Sequence, residues 1–199
     1  MLAYLQGNIT LKTPTHVIIE SGGLGYFVNI SLNTYASIQD KSFCKLHTYL
    51  HLGGSLQSPI TVSLYGFYEE EERHIFTELL SISGVGAATV RMILSAMTPQ
   101  EIQRAIVTDN VKLLESIKGI GPKTAKRIIL ELKDKMGRNL SPMSVPVSGS
   151  NNVKEEALSA LVMLGFSRVQ AEQAVQKTWA AGGQSMSTEE LIKQTLKAI

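Results

Sequence analysis

The chain has 199 residues, of which 44% are apolar, and a formal net charge of +2, so it is not a disordered polypeptide and can form one large domain or two to three small ones. No apolar run is long enough to span a bilayer, and the N-terminus lacks the basic and apolar blocks of a secretory signal, so we expect a cytoplasmic protein. The single cysteine, Cys44, excludes an internal disulfide and is expected to be a buried thiol in a reducing compartment.

Residues 1–64 alternate between apolar and polar side chains with the period of two that β-strands show. The clearest runs are 17–20, 26–31 and 45–50. Turn residues separate the runs at Thr13-Pro14, Ser21-Gly22-Gly23 and Gly53-Gly54. About five strands in such a short segment predict a small closed barrel, similar to an OB fold, because closure removes exposed sheet edges.

From Glu69 the pattern changes to a helical period, and residues 65–138 are predicted to form an all-α domain. Its glutamate run, residues 69–72, predicts a solvated helix start that matches the helix dipole, with a metal site as the alternative. A second helix start is expected at Thr98, where Pro99 and Glu101 complete the N-terminal signals. Gly137 is expected to end the long basic helix that begins at Pro122.

Within this helical segment a nine-residue motif occurs twice, at residues 81–89 and 116–124. Each copy turns through Gly-apolar-Gly between two helical runs, which predicts two helix-hairpin-helix elements in tandem. Glycine lets the backbone turn tightly and approach a ligand, and the following helix presents free N–H groups and a positive dipole end to an anion. The duplication therefore favours a site that holds a nucleic-acid backbone without reading bases.

Basic residues concentrate at the second copy, because residues 112–138 carry eight basic and three acidic side chains. Lys123, Lys126 and Arg127 share one helix face, whereas Ala87 and Ala88 replace Pro-Lys in the first copy. We therefore expect the two copies to contribute unequally. The residues expected to bind DNA are Ser83, Gly84, Val85, Gly86 and Arg91 in the first copy and Lys118, Gly119, Ile120, Gly121, Lys123, Thr124, Lys126 and Arg127 in the second.

No pattern of catalytic residues, metal ligands or cofactor-binding residues is present. The motif at 121–124 ends like a phosphate-binding P-loop, but Pro122 stands where that loop needs glycine. The four histidines form no metal-ligand pattern with cysteine or acidic residues. We therefore expect no catalytic site, no metal and no cofactor.

Residues 139–151 are rich in Ser and Pro and predict a flexible linker. Residues 152–199 predict a three-helix bundle, whose helix starts have capping-box spacing at Asn152, Ser167 and Ser187 and whose breaks fall at Gly165 and Gly182-Gly183. Its expected core consists of Leu158, Leu161, Val162, Val175, Trp179, Leu191, Ile192 and Leu196.

These segments predict a multi-domain α+β protein. Over the whole chain, their order resembles that of the RuvA family of Holliday-junction-binding subunits. The motifs that carry the resemblance are Gly25-Tyr26 with Val28, Leu64-Tyr65-Gly66-Phe67, Gly84-Val85-Gly86, residues 119–127 and residues 160–166. The resemblance assigns 1–64 to a barrel for oligomerisation and the junction centre, 65–138 to DNA binding, 139–151 to a linker and 152–199 to ATPase docking.

The resemblance implies a homotetramer that binds four-way junction DNA, with an octamer as a further form on DNA. It also implies a hexameric ATPase partner, RuvB, and admits the resolvase RuvC. By the same analogy Met163, Leu164 and Phe166 are candidates for contacting the ATPase, although packing within the bundle is an equal alternative.

The chain departs from the family in the loop at residues 51–59, which lacks the usual Glu-Asp pair, so we assign no junction-pin residue. Ala88 also replaces the family's lysine after the first hairpin. Two other functions remain open. One is a helix-hairpin-helix repair enzyme, a glycosylase or nuclease, for which Asp134 is the one acidic candidate between Gly121 and the linker. The other is a pure interaction protein, because the turn at 163–166 also fits a ubiquitin-associated domain.

Overall fold

A computed structural model describes residues 2–55, 58–139, 150–182 and 186–198. The chain divides into two compact units, Met1–Leu140 and Ser141–Ile199. Each unit has its own buried core.

Five strands begin the first unit: β1 (Tyr4–Lys12), β2 (His16–Ser21), β3 (Leu24–Asn29), β4 (Phe43–Ser55) and β5 (Ser58–Phe67). They close into a barrel in the order β1-β2-β3-β5-β4, which confirms the predicted OB-like architecture. Alternate side chains point inward, and Val17, Ile19, Val28 and Leu46 are fully buried there. Cys44 is buried beside them, and burial raises the pKa of its thiol against the opposing charges of Lys12 and Lys41.

Two expectations about the barrel were wrong. A short helix, α1 (Leu32–Ser37), interrupts the predicted strands; it begins at Ser31, whose hydroxyl oxygen accepts the Thr34 N–H at 3.0 Å. No turn occurs at Gly53-Gly54, because β4 continues to Ser55. A register shift between Gly53 and Ser55 absorbs the irregularity, and Gly54 adopts φ +120°, which glycine tolerates.

Five helices follow the barrel: α2 (Glu70–Leu80), α3 (Ala87–Ala96), α4 (Pro99–Val107), α5 (Val111–Glu115) and α6 (Pro122–Asn139). Their shared core includes Phe76, Ile93, Ile106 and Leu132, all fully buried. The predicted capping box at Thr98 is present, with both reciprocal hydrogen bonds to Glu101. The Thr98 N–H donates to the Glu101 carboxylate and lowers its pKa.

The expected helix stop at Gly137 was wrong, because α6 continues to Asn139. A glycine inside a helix lowers helix stability by about 1 kcal/mol relative to alanine. Burial of Met136, one residue earlier, offsets this loss. At the other end of the predicted linker, residues 150 and 151 belong to the next helix. Residues 140–149 of that linker lie outside the described residues.

The glutamate run at the start of α2 is not uniformly solvated, since Glu72 is only 3% exposed. Its carboxylate accepts the hydroxyls of Ser31 and of Thr34, the latter at 2.6 Å. Burial raises the pKa of the Glu72 carboxyl, and these hydrogen bonds oppose that rise. The expectation of a solvated start therefore fails for Glu72, which joins α2 to the end of the barrel.

The second unit contains α7 (Ser150–Met163), α8 (Arg168–Gly182) and α9 (Thr188–Ala198). Its core includes Leu161, Val175, Trp179 and Leu191, as predicted. Val162 and Leu196 were also predicted to be core residues, but each is 42% exposed and lies outside that core. Successive side chains on a helix point about 100° apart, and only those on one narrow face of each helix contact the core.

The predicted caps of the second unit differ in outcome. The backbone N–H groups of Gln170 and Glu190 donate to the hydroxyls of Ser167 and Ser187, so these two caps are confirmed. The start at Asn152 was wrong, because α7 begins two residues earlier. No described helix combines the length and apolar character needed to cross a membrane.

Candidate nucleic-acid interface

The first repeated motif forms a tight turn between α2 and α3. Ile82 and Val85 point into the core, and the Val85 N–H donates to the Ile82 carbonyl at 3.1 Å. Gly84 between them has φ +86°, a conformation that side-chain-bearing residues rarely adopt. The two buried side chains therefore anchor the turn, and the backbone that follows it faces solvent.

The second motif repeats this geometry between α5 and α6. Ile117 and Ile120 are buried, the Ile120 N–H donates to the Ile117 carbonyl at 3.0 Å, and Gly119 has φ +95°. The predicted tandem of helix-hairpin-helix elements is thus confirmed. Val85 and Ile120, which we expected to lie in the DNA site, contribute backbone and turn structure there while their side chains belong to the core.

The glycines that close the turns, Gly86 and Gly121, are not required by the packing of the chain. A Cβ at either position would meet no heavy atom within 4 Å, and neither glycine has positive φ. Gly86 is the N-cap of α3 and supplies no side chain to cap its first turn. Amide groups at these helix starts are therefore open to an anion, which the absence of a Cβ allows to approach closely.

The basic residues of the second hairpin fall into two groups. Lys118, Lys123 and Lys126 are exposed and form no ion pair within the residues that the structure describes. Lys133 pairs with Asp109, and Lys135 pairs with Glu78 at 3.3 Å. We call Lys118, Lys123 and Lys126 the three exposed lysines; their ammonium groups are available to phosphates.

The two arginines of the predicted site contact other parts of the same unit. Arg91 on α3 donates through Nη1 to Asn29 Oδ1 at 3.1 Å and to the Thr15 carbonyl at 3.3 Å, so it joins the first hairpin to the barrel. Arg127 on α6 donates through Nη1 to the Ser83 carbonyl at 3.0 Å. It therefore joins the second hairpin to the first.

The remaining predicted DNA contacts lie at the turns. Ser83 is exposed at the first turn, while Thr124 is half-buried in the first turn of α6. Sequence analysis missed the acidic partners Glu78 and Asp109, because each is far from its lysine along the chain. The helical period of α2 could have placed Glu78 on the helix surface, but not opposite Lys135.

The described residues offer little to an enzymatic site. No three His, Cys, Asp or Glu side chains among them converge in a group that could hold a metal ion. Asp134, on which the glycosylase alternative depends, is exposed on α6. A solvated carboxylate lacks the desolvation by which enzymes adapt catalytic acids.

The candidate partner surface of the second unit is a turn between α7 and α8. Met163 is 88% exposed and Leu164 is 61% exposed, whereas Phe166 packs against the core of the bundle. Gly165 has φ +101°, and the Phe166 N–H donates to the Leu161 carbonyl at 3.2 Å. The turn thus presents two apolar side chains on a rigid support.

Comparisons with known proteins agree with this architecture. The family model for the RuvA N terminal domain matches residues 1–66, the SAM-like helix-hairpin-helix tandem matches 76–134, and the RuvA C-terminal domain matches 152–199. The Holliday junction branch migration complex subunit RuvA of Christiangramia forsetii is 44% identical over 199 residues, all of both chains. The proteins of that name from Flavobacterium psychrophilum and Cytophaga hutchinsonii are 44% and 39% identical, each over 99% of both chains.

The fold and the two turns define a class of protein in which a small β-barrel carries a tandem helix-hairpin-helix element. Within that class, the agreement of all three family models and of relatives over their full length leaves one assignment. The chain belongs to the RuvA family.

Proposed function

We propose that this protein is a non-catalytic, structure-selective binder of Holliday junctions that recruits the RuvB ATPase for branch migration in recombination and repair. The observation that carries the proposal is the pair of matching turns on one unit, whose open glycines and helix starts suit phosphates. Contacts of this kind hold DNA without reading its sequence, so selectivity comes from the shape of the DNA.

The proposed interface combines backbone and side-chain donors. Amide groups at the starts of α3 and α6 bind phosphates, and the three exposed lysines neutralise neighbouring phosphates. Pro122 removes one N–H from the second turn, while the first turn has no exposed lysine. The two hairpins are therefore unlike in chemistry, with the first relying on its backbone and the second on its lysines.

Assembly completes the proposal. We propose a homotetramer, because four-fold symmetry places equivalent hairpins against the four arms of a junction. Octamer formation on DNA, contact with RuvC and a cytoplasmic location are extensions of the same proposal. So is the division of labour between a barrel, a DNA-binding helical region, a linker and a docking bundle, with bounds adjusted to β5, α6 and α7 as described above. Relatives named as subunits of a branch migration complex support the ATPase partner.

A binding comparison tests the junction proposal. The purified protein is titrated into a labelled, immobile four-way junction and into linear duplexes of the same sequence and total phosphate number. We expect much tighter binding to the junction and no ATP turnover without RuvB. Equal affinity for both DNAs would contradict selectivity by shape, and cleavage of labelled junction or damaged duplex would favour the repair-enzyme alternative.

A further inference from the structure

We infer that Arg127 is a positioning residue that sets the spacing between the two phosphate-binding turns, and that it acts on DNA through this spacing. The inference rests on the proposed function. Its basis is the hydrogen bond from Arg127 Nη1 to the Ser83 carbonyl at 3.0 Å, which connects α6 directly to the turn of the first hairpin. Glu131, one helical turn further along α6, lies 3.6 Å from Arg127 Nε and orients the guanidinium.

The surroundings of Arg127 differ from those of the three exposed lysines. Its planar guanidinium has two internal partners, since it donates a hydrogen bond to the Ser83 carbonyl and forms an ion pair with Glu131 at 3.6 Å. The lysines form no ion pair among the residues described in this unit. Arg127 therefore connects α6 to the first hairpin, while the three exposed lysines remain available to DNA.

A second contact holds the same helix against the first hairpin. Lys135 on α6 pairs with Glu78 on α2 at 3.3 Å, eight residues beyond Arg127 and thus about 12 Å further along the helix. Two contacts so far apart fix both the position and the direction of α6 relative to the first hairpin. The contact of Arg127 is the one at the turns, where DNA binds in the proposed function.

Fixed spacing matters because, in the proposed function, both turns of one protomer bind phosphates of the same junction arm. When the turns are already at the correct separation, the second phosphate contact forms without the entropic cost of ordering one hairpin against the other. Loss of the Arg127 contact should therefore weaken the coupling between the hairpins. It should leave each hairpin able to bind phosphate alone.

A double-mutant cycle in the full-length protein separates positioning from direct phosphate binding. Gly86→Asp disables the first hairpin, because it places a carboxylate at the N-cap of α3, where there is open space and aspartate is a favourable cap. Junction affinity is measured at several salt concentrations for the wild type, Arg127→Ala, Gly86→Asp and the double variant. Thermal unfolding of each variant tests whether the half-exposed Arg127 site tolerates alanine, as we expect.

We expect Arg127→Ala to weaken junction binding about tenfold in the wild-type background, with an unchanged salt slope, and less than about twofold in the Gly86→Asp background. Equal losses in both backgrounds, together with a salt slope lower by about 0.9, would overturn the inference and make Arg127 a phosphate ligand. No loss in the wild-type background would overturn it as well. The proposed function fails on a different result, namely equal wild-type affinity for junction and linear duplex.

Discussion

The Thr34 hydroxyl donates to Glu72 Oε2 at 2.6 Å and at the same time accepts the backbone N–H of Tyr68 at 3.0 Å. Thr34 belongs to α1, which lies between β3 and β4 of the barrel, and Glu72 belongs to the first turn of α2. Ser31 donates to the other carboxylate oxygen. A buried carboxylate with these partners thus fixes the first helix of the DNA-binding region to the barrel.

This buried carboxylate predicts a pH dependence of stability. Burial raises the folded-state pKa of the Glu72 carboxyl above its ordinary value of 4.5. Below pH 4.5 the carboxyl is neutral in both the folded and the unfolded protein, so no charge is buried. As the pH rises through the raised pKa, the folded protein has to bury the charged carboxylate, and its free energy of unfolding falls. We therefore expect the wild type to lose unfolding free energy relative to Glu72→Gln as the pH rises from about 4 to about 8. Urea unfolding of both proteins across this range measures the difference.

The control for that measurement is Glu70→Gln, in the same helical turn. Glu70 is exposed and paired with Arg73 at 2.8 Å, so neutralising it should not reproduce the pH-dependent difference. A difference between wild type and Glu72→Gln that stays constant with pH would show that Glu72 does not titrate in this way.

The barrel and the repeated turns could be predicted because their signals are local. Alternation of side chains in strands and the recurrence of Gly-apolar-Gly do not depend on distant residues. Local signals also predicted the capping box at Thr98 and the N-cap at Ser167.

The errors arose where contacts with residues far away in the sequence determine whether a side chain is buried or paired. Glu72 has the sequence context of a solvated helix start, and only Ser31 and Thr34, about 40 residues earlier, make it a buried acceptor. The internal contacts of Arg91 and Arg127 were not predicted for the same reason, and DNA binding by these two arginines stays a prediction. Their partners, Asn29 and Ser83, lie 62 and 44 residues away, and a helical pattern contains no information about them.

Substitution of the closing glycines is expected to reveal unequal hairpins. Gly121→Asp places a carboxylate at the turn that precedes the three exposed lysines, and Gly86→Asp does the same at the turn without them; neither added Cβ meets a heavy atom within 4 Å. Both variants should fold normally and bind junctions more weakly, because a carboxylate repels the phosphate. The carboxylate of Gly121→Asp would disable the hairpin that adds the three exposed lysines to its backbone amides, whereas Gly86→Asp would disable only backbone donors. We therefore expect the loss for Gly121→Asp to exceed that for Gly86→Asp by about tenfold, which gel shifts on a four-way junction can measure.

A matched control for these variants is Asn110→Asp. Asn110 is the N-cap of α5, and its side chain accepts the Leu113 N–H at 3.2 Å, a role that the isosteric aspartate retains. The control adds the same charge to the same unit away from the glycine turns, so its affinity should change little. If it weakened binding as much as Gly121→Asp, net charge and not the turn would explain the effect.

The three exposed lysines predict a change in salt dependence. Replacing Lys118, Lys123 or Lys126 by alanine should lower the slope of log affinity against log salt by about 0.9, because each phosphate contact releases one condensed counterion. Lys135→Ala serves as the comparison, since this lysine lies on the same helix but is paired with Glu78. Unchanged slopes in all three variants would remove these lysines from the interface.

The turn at residues 163–166 predicts a separable loss of partner binding. Met163 and Leu164 are largely exposed, so alanine there should change stability by no more than about 0.5 kcal/mol. If the turn docks on the ATPase, Met163→Ala and Leu164→Ala should weaken RuvB binding about tenfold while junction affinity stays at the wild-type value. Surface plasmon resonance with immobilised RuvB, alongside junction gel shifts, measures both quantities.

Two variants in the same bundle control for packing and for general surface effects. Leu161→Ala removes a fully buried side chain and should cost about 2–5 kcal/mol of stability, so a similar loss in the Met163 or Leu164 variant would indicate a packing role. Leu196→Ala alters another exposed apolar side chain, on α9, and should leave RuvB affinity unchanged. Wild-type RuvB affinity in both the Met163 and Leu164 variants would exclude this turn as the docking site.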